Sequence, residues 1–346
     1  MYRVGINGLG RIGRAILRSN LKKNIFDVVA INDINPDVSN IAYTLNYDTI
    51  YGRLDKQFIS SFNTIHQSNS NEIQVFNESS ILKVPWKNLD VDFVIDSSGI
   101  HRNVIDSHKL ISNEEVKKVF ITHSPKEVDF TMVLGVNESK FNYDKHNVIS
   151  TSICDATAIS PTLNDINKKF GIESGSITTM HPWLSYQNLT DGSSSSWSVP
   201  GEVYHHFALG RSAIGNIIPK PTSAVEVSCS VLEGISEDMF LSFSYRTPTA
   251  IVGSADLTLN LKNNTSTKEV IEFFNSLEKK QSFNIYKNNS EPLVSLDFIK
   301  ADYSCVIDHR WTEIKNENLL KIVLWYDNEW GYSNRVIDQI NYIAKK

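Results

Sequence analysis

The stretch MYRVGINGLGRIGRAILRSNLKK, residues 1–23, decides the fold. Residues 2–7 read as a short strand, and the turn Gly8-Leu9-Gly10-Arg11-Ile12-Gly13 follows it directly. RAILRSNLKK then carries Ala15, Ile16 and Leu21 at helical spacing. Glycines so placed permit a tight turn and let backbone N–H groups approach a pyrophosphate at a helix N-terminus, where the macrodipole favours negative charge. A second apolar run, FDVVAI, ends at Asn32-Asp33, twenty residues past Gly13. A carboxylate at that distance accepts from a ribose 2′-hydroxyl and repels a 2′-phosphate, which selects NAD over NADP. A merely structural glycine turn would explain the glycines but not the strand, the helix and the acid around them. Gly8, Gly10, Arg11, Ile12, Gly13 and Asp33 are therefore the candidate cofactor residues. Further out, VDFVIDSSG (91–99), VKKVFITHS (116–124) and TMVLGVN (131–137) fit additional parallel strands. Ser97 and Ser124, at the ends of two of them, are candidate cofactor contacts, with plain turn chemistry as the alternative.

A chain of 346 residues is long enough for about two domains, each with its own core. The hydrophobic fraction of 41% and charged fraction of 21% are those of a folded globular protein, and no apolar run has the length of a membrane span. The N-terminus enters a strand pattern at once, without the basic and long apolar regions of a secretory signal, so cytoplasmic residence is expected. Net charge is −5 with no basic run, which argues against nucleic acid and membrane surfaces as partners. Cys154, Cys229 and Cys305 are scattered and lack CxxC spacing, so neither a disulfide framework nor a zinc site is indicated.

STSICDATAISP, residues 150–161, places Cys154 where a strand pattern gives way to a helical one carrying Ala158, Ile159, Leu163 and Ile166. A thiol in the first turn of a helix faces the positive dipole end, which favours thiolate. The nearest strong candidate for its base is His181, at the end of the strand-like ESGSITTMH. A lone cysteine is more often a buried apolar side chain. The dinucleotide domain upstream changes that balance, because NAD and a thiolate together make a complete reaction: hydride removal from a thiohemiacetal.

Over nearly its full length the chain resembles the glyceraldehyde-3-phosphate dehydrogenase family. The matching segments are VGINGLGRIGR (4–14), IND (31–33), Tyr47-Asp48 with Tyr51-Gly52-Arg53, DSSGIHR (96–102), SPTLN around Pro161, TTMH (178–181), NIIP (216–219), YRTPT (245–249) and WYDNEWGYSNR (325–335). The resemblance implies an α/β fold: an N-terminal Rossmann dinucleotide-binding domain, 1–153, and an α+β catalytic domain with a mixed or antiparallel sheet, 154–330. It implies that a last helix, 331–346, returns to the first domain, and that the assembly is a homotetramer. It implies NAD as cofactor, Cys154 as the acylated nucleophile, His181 as its base, and Asn328 and Tyr332 as cofactor contacts, Asn328 through the nicotinamide carboxamide. Arg246, in YRTPT, matches the arginine that grips the substrate phosphate, although a surface ion pair is the simpler alternative. Trp325, Tyr326 and Trp330 read as core or interface aromatics.

The pattern breaks around the thiol. The family has Ser-Cys-Thr-Thr-Asn, whereas this chain has Ile153-Cys154-Asp155-Ala156-Thr157. After the histidine, two expected donors become Leu184 and Tyr186. Alignment on NIIP puts Leu209 where an arginine of the inorganic-phosphate pocket is usual, with Arg211, Lys220 and Thr222 nearby. The loop DGSSSSWSVPGEVYHHFALGRSAIGN is longer than the family norm. Two unit charges 4 Å apart interact by about 4 kcal/mol at an effective dielectric of 20, so an unopposed Asp155 would repel an incoming phosphate. This favours an anionic aldehyde as substrate and water as acyl acceptor. Asp155, Thr222, Arg211, Tyr186 and Arg246 are the candidate substrate residues, with His205 and His206 as further cationic contacts. Asp155 also argues for a raised thiol pKa, or instead caps the helix start and points away. The alternatives are an ordinary phosphorylating enzyme of glycolysis, which would use Arg211, Lys220 and Thr222, and a non-catalytic NAD-binding scaffold.

Overall fold

The computed structural model describes residues 1–68, 70–194 and 206–346, so His205 lies outside the described residues. The chain forms two compact units: residues 1–132, 139–152 and 333–346 make the first, and 133–138 with 153–332 the second. Among the described residues no helix is long and apolar enough to cross a membrane.

The first unit is built on a nine-stranded sheet among the described residues. Its strands are β1 Arg3–Asn7, β2 Asp27–Asn32, β3 Phe58–Ser61, β4 Thr64–Gln67, β5 Ile73–Phe76, β6 Phe93–Asp96, β7 Lys118–Ile121, β8 Phe130–Thr131 and β9 Val148–Ser150. The spatial order is β8-β9-β7-β6-β1-β2-β5-β4-β3. Pairs from β8 through β5 are parallel, and the β5-β4-β3 edge is antiparallel. Helices α1 (Arg11–Lys23), α2 (Val38–Asn46) and α3 (His101–Ser112) connect strands in this unit. This is the Rossmann architecture, with β1 and β6 adjacent at the point where strand order reverses. Trp86 is fully buried and lies on β1: a Cβ on Gly5 would come within 2.3 Å of its ring, so only glycine fits there. Asn24 ends α1 in the left-handed region at φ 51°, a conformation asparagine tolerates. Residues 333–346 are held in this unit by Ser19 Oγ, which donates to Asn334 (2.6 Å), and by Gln339 Nε2, which donates to Met132 O (3.1 Å).

Two local expectations fail. TMVLGVN contributes only Thr131 to a strand, and Met132, Val133 and Leu134 are buried outside it. An apolar run reports burial, and a turn buried by its surroundings produces the same signal. In α1 the buried face carries Leu17, whereas Leu21 is exposed.

The second unit packs α4 (Cys154–Phe170) and α5 (Ala224–Val231) with α6 (Thr267–Lys280) around a mixed sheet. Its main strands are β10 Ile172–Pro182, β11 Ile218–Lys220, β12 Phe240–Thr247, β13 Gly253–Leu261, β14 Tyr286–Asn289, β15 Cys305–Asp308 and β16 Leu319–Tyr326, in the order β11-β12-β10-β13-β16-β15-β14, and the short strand Glu313–Lys315 pairs with β16 off this path. β10 runs parallel to β12 and antiparallel to β13, and β16 is antiparallel to β13. β16 alternates strictly between buried and half-buried residues, as a strand with one covered face should. α7 (Trp330–Ile343) follows it.

Candidate active site

In the first unit the Gly-rich turn has the shape its sequence predicts, and the reasons are steric. Gly8 sits at φ +89°, and a Cβ there would be 2.6 Å from the Ser98 nitrogen. A Cβ on Gly13 would be 2.2 Å from Gly8 O, so the first turn of α1 must carry a glycine at that position. Gly10 is different: a Cβ there meets no protein atom within 4 Å. Gly10 is also the N-cap of α1, and no side chain caps that helix end. Open space over an uncapped helix N-terminus, carrying orphan N–H groups, is what a pyrophosphate needs. Asp33 accepts from Leu9 N (2.6 Å) and Asn35 N (2.9 Å), which fastens its carboxylate against the turn and leaves lone pairs for ribose hydroxyls. These residues fit a dinucleotide. Ser97 Oγ donates to Gly8 O at 2.6 Å and Ser124 Oγ meets Ser150 Oγ at 3.3 Å, so both hydroxyls are used by the protein itself. Arg11 forms an ion pair with Asp48 and lies 5.4 Å from the Tyr51 ring centre. Ile12 stays half-buried in the first turn of α1.

In the second unit the site is assembled by a helix start and four strands, β10, β11, β12 and β16. Ser152, two residues before the thiol, is held at φ +69° and buried, with its N–H on Ser150 Oγ. Non-glycine residues reach this region at a cost of about 1–3 kcal/mol, repaid by the surrounding structure. Cys154 opens α4 and keeps partial exposure. The N-cap is Ile153, with no side-chain cap bond, so Asp155 does not cap the helix. Its Oδ1 accepts instead from Tyr326 OH at 2.8 Å and lies 3.6 Å from Cys154 Sγ. A helix cap is satisfied locally, whereas here a phenol brought in by β16 takes the carboxylate. Gly253 makes room for that phenol, since a Cβ there would be 2.7 Å from the Tyr326 ring.

His181 Nε2 lies 3.5 Å from Cys154 Sγ. Its Nδ1 is 2.8 Å from Pro182 O, which can only accept, so Nδ1 carries the proton and Nε2 presents a lone pair to the thiol. Burial, then Arg246, holds His181 down at about 4. It is a neutral base at physiological pH. Burial, then Asp155, pushes the Cys154 thiol well above its ordinary range.

Arg246 pairs with His181 in the β12–β10 register, so both side chains rise from one face of the sheet. It is 8% exposed, its Nε has no hydrogen-bond partner, and it makes no ion pair or hydrogen bond with any described residue. The surface ion-pair alternative is thereby set aside. Lys220, across from Ser244 on β11, is half-buried and lowered to about 8 by burial and then Arg246, with Asp155 and Cys154 acting in the opposite direction. The carboxylate of Asp155 is therefore opposed by two cations, and the repulsion expected from the sequence is screened.

Two other expected substrate residues are engaged by their own neighbours. Arg211 is exposed and bonded to Asp191 at 2.8 Å, because a guanidinium with a free carboxylate in reach takes it. Thr222 Oγ1 accepts from Ala224 N at the start of α5. Tyr186 and Leu184 are half-buried beyond the end of β10, Leu209 is buried, and His206 is half-buried. Asn328 is buried and its Oδ1 accepts from Val252 N at 3.0 Å, while its amide nitrogen bonds to no described residue. Tyr332 is buried in α7, and Trp325 stacks on Phe298 and donates to Asp308, a structural role. Tyr326 is the member that sequence reasoning assigned to the core. Its alternation in β16 reports only that it is buried, and its partner is 171 positions away.

Residues 2–104 match the family model of the glyceraldehyde 3-phosphate dehydrogenase NAD binding domain, and residues 152–328 match that of the C-terminal domain. The chain belongs to the glyceraldehyde-3-phosphate dehydrogenase family. Among its relatives, glyceraldehyde-3-phosphate dehydrogenase 1 of Bacillus cereus is 34% identical over 346 residues, covering 100% of this chain and 99% of the relative. The cytosolic glyceraldehyde-3-phosphate dehydrogenase of Gracilaria gracilis is 35% identical, covering 99% of this chain and 98% of the relative. Glyceraldehyde-3-phosphate dehydrogenase 2 of Bacillus subtilis is 32% identical, covering 99% and 97%. This family member is an NAD-dependent oxidoreductase with a Rossmann domain and a catalytic domain.

The geometry of this family member carries a direct prediction for the thiol. Asp155 both repels a thiolate and accepts from the thiol, so Asp155→Asn is expected to lower the Cys154 pKa and speed its alkylation by iodoacetamide at pH 7. In the parent chain the rate should still be rising with pH above about 8.5, the ordinary thiol value. A variant no faster than the parent at pH 7 would contradict this account.

Proposed function

We propose that the chain oxidises glyceraldehyde 3-phosphate, or a phosphorylated aldehyde of that size, through a thioester on Cys154, with inorganic phosphate as acyl acceptor. The observation that carries this reading is Arg246: among the described residues the buried guanidinium has no hydrogen-bond or ion-pair partner, which costs several kcal/mol, and a bound phosphate offsets that through a paired fork. The names of the relatives supply the substrate.

In this reading Cys154 Sγ adds to the aldehyde carbon while His181 Nε2 takes the thiol proton and passes it to the former carbonyl oxygen, giving a hydroxyl. Arg246 holds the substrate phosphate, and Lys220 faces the same space. The tetrahedral adduct loses a hydride and its hydroxyl proton, the latter to His181, leaving the thioester. NAD, held by the Gly8–Gly13 turn and Asp33, supplies the hydride acceptor when bound, and Asn328 offers its unengaged amide to the carboxamide. Attack of phosphate on the thioester carbon then returns the Cys154 thiolate. The exposed Leu241 (78% exposed) and Phe243 on β12 offer an apolar surface for a contact between copies, as the homotetramer implied by the resemblance would need, and residence in the cytosol follows the relative so named.

A second reading, release to water, is favoured by the apolar Leu184 and Leu209 where the resemblance expects phosphate donors. One assay separates the two. NADH formation from glyceraldehyde 3-phosphate is followed with and without inorganic phosphate, and the product is identified. Turnover that needs phosphate and yields an acyl phosphate is the expected result. Equal turnover without phosphate, yielding the free acid, would transfer the reading to hydrolysis. No NADH from any phosphorylated aldehyde would defeat both.

A further inference from the structure

Cys154 Sγ, His181 Nε2 and Asp155 Oδ1 all lie within 4.8 Å of one another. The separations are 3.5 Å from sulfur to nitrogen, 3.6 Å from sulfur to oxygen and 4.0 Å from nitrogen to oxygen. A tetrahedral Zn²⁺, with bonds of about 2.3 Å to sulfur and about 2.0–2.2 Å to nitrogen and oxygen, requires ligand separations of about 3.3–3.6 Å. Two of the three edges already have that length. The third closes by about half an ångström, a small rotation of the carboxylate.

The surroundings of the ligands supply an independent observation. His181 donates its other ring N–H to Pro182 O, which fixes the tautomer and leaves Nε2 free to ligate. Asp155 Oδ1 accepts from the Tyr326 hydroxyl, which orients the carboxylate. A carbonyl behind the imidazole and a hydroxyl behind the carboxylate are the supports that metal ligands ordinarily have. One thiolate, one imidazole and one carboxylate, with a fourth position open, is a donor set suited to a borderline ion.

We propose that this chain binds one Zn²⁺, or a similar thiophilic divalent cation, through Cys154 Sγ, His181 Nε2 and Asp155 Oδ1, with water in the fourth position, and that the bound ion silences the nucleophile. The S–Zn bond forms as the thiol proton leaves to solvent, with no change in oxidation state. The thiolate and the carboxylate together balance the charge of the ion. Arg246 and Lys220 oppose it, so the site is weaker than an all-protein structural zinc site and releases its ion to a chelator. An aspartate directly after the cysteine is what supplies the third ligand, and it makes the thiol responsive to metal in a way a cysteine–histidine pair alone is not.

The test uses the full, tag-free, reduced chain stripped of metal, titrated with Zn²⁺ against a zinc-indicator dye and separately with Co²⁺. The expected result is one equivalent bound, a thiolate-to-cobalt absorption band in the near ultraviolet, and protection of Cys154 from iodoacetamide that a chelator reverses. Asp155→Asn is expected to bind at least tenfold more weakly. Equal affinity in that variant, with its melting temperature unchanged, would overturn the three-ligand site. So would a parent chain whose Co²⁺ complex shows no thiolate band, a readout that does not depend on any variant folding.

Discussion

Replacing Cys154 with serine is expected to abolish NADH formation, by about 10⁴-fold or more in kcat/KM, because removing a covalent nucleophile removes the route and not merely a contact. That loss corresponds to about 5.5 kcal/mol of transition-state stabilisation. Serine fits the space, and among the described residues the sulfur's polar contacts are with His181 and Asp155, so the fold should be unaffected. The control is NAD binding, which the proposal assigns to the Gly8–Gly13 turn and Asp33, in the other unit. Mass spectrometry of the parent mixed with substrate and NAD should find the acyl group on Cys154, and none on the serine variant. Residual activity within tenfold of the parent would mean that the sulfur at the start of α4 is not the reacting atom. It would remove the thioester from the proposal altogether.

Arg246→Ala is expected to act on substrate choice. Each charge-assisted hydrogen bond contributes about 1.5–3 kcal/mol, so loss of a two-pronged grip on phosphate should cost about 10²–10⁴-fold in kcat/KM for a phosphorylated aldehyde. Arg246 also lowers the Cys154 and His181 pKa values, so some loss will extend to every aldehyde. The informative quantity is therefore a ratio: preference for phosphorylated over unphosphorylated aldehyde of the same length should fall by about 10²-fold or more. Arg246→Lys should restore part of it, since lysine keeps the charge and loses the fork. An unchanged ratio in the alanine variant would leave the buried guanidinium without a ligand and would send the search for the anion to Lys220.

Comparison of individual elements shows where sequence was informative. The Gly8–Gly13 turn could be read directly because its constraints are local. Positive φ at Gly8 and the 2.2 Å approach between a Gly13 Cβ and Gly8 O involve atoms a few residues apart. The alternation in β16 and the helical register of α4 are local in the same sense. TMVLGVN failed because hydrophobicity reports burial without saying which backbone shape is buried. The ion pair of Arg211 could not be read, because nothing in its own neighbourhood announces Asp191, twenty residues away, as its partner.

For the reacting group the division is sharper. Residue type and position alone determined that this chain has a dinucleotide turn, a thiol at a helix start and a histidine at a strand end. Only tertiary structure decided what surrounds them. The β10–β12 register sets Arg246 beside His181, and the β13–β16 register over Gly253 delivers the Tyr326 hydroxyl to Asp155. That contact spans 171 positions and turns an apparent helix cap into a charged neighbour of the thiol. The reason is physical: backbone sterics and periodicity act over a few residues, whereas charge, burial and hydrogen bonding act through space, between side chains that only the completed sheet brings together.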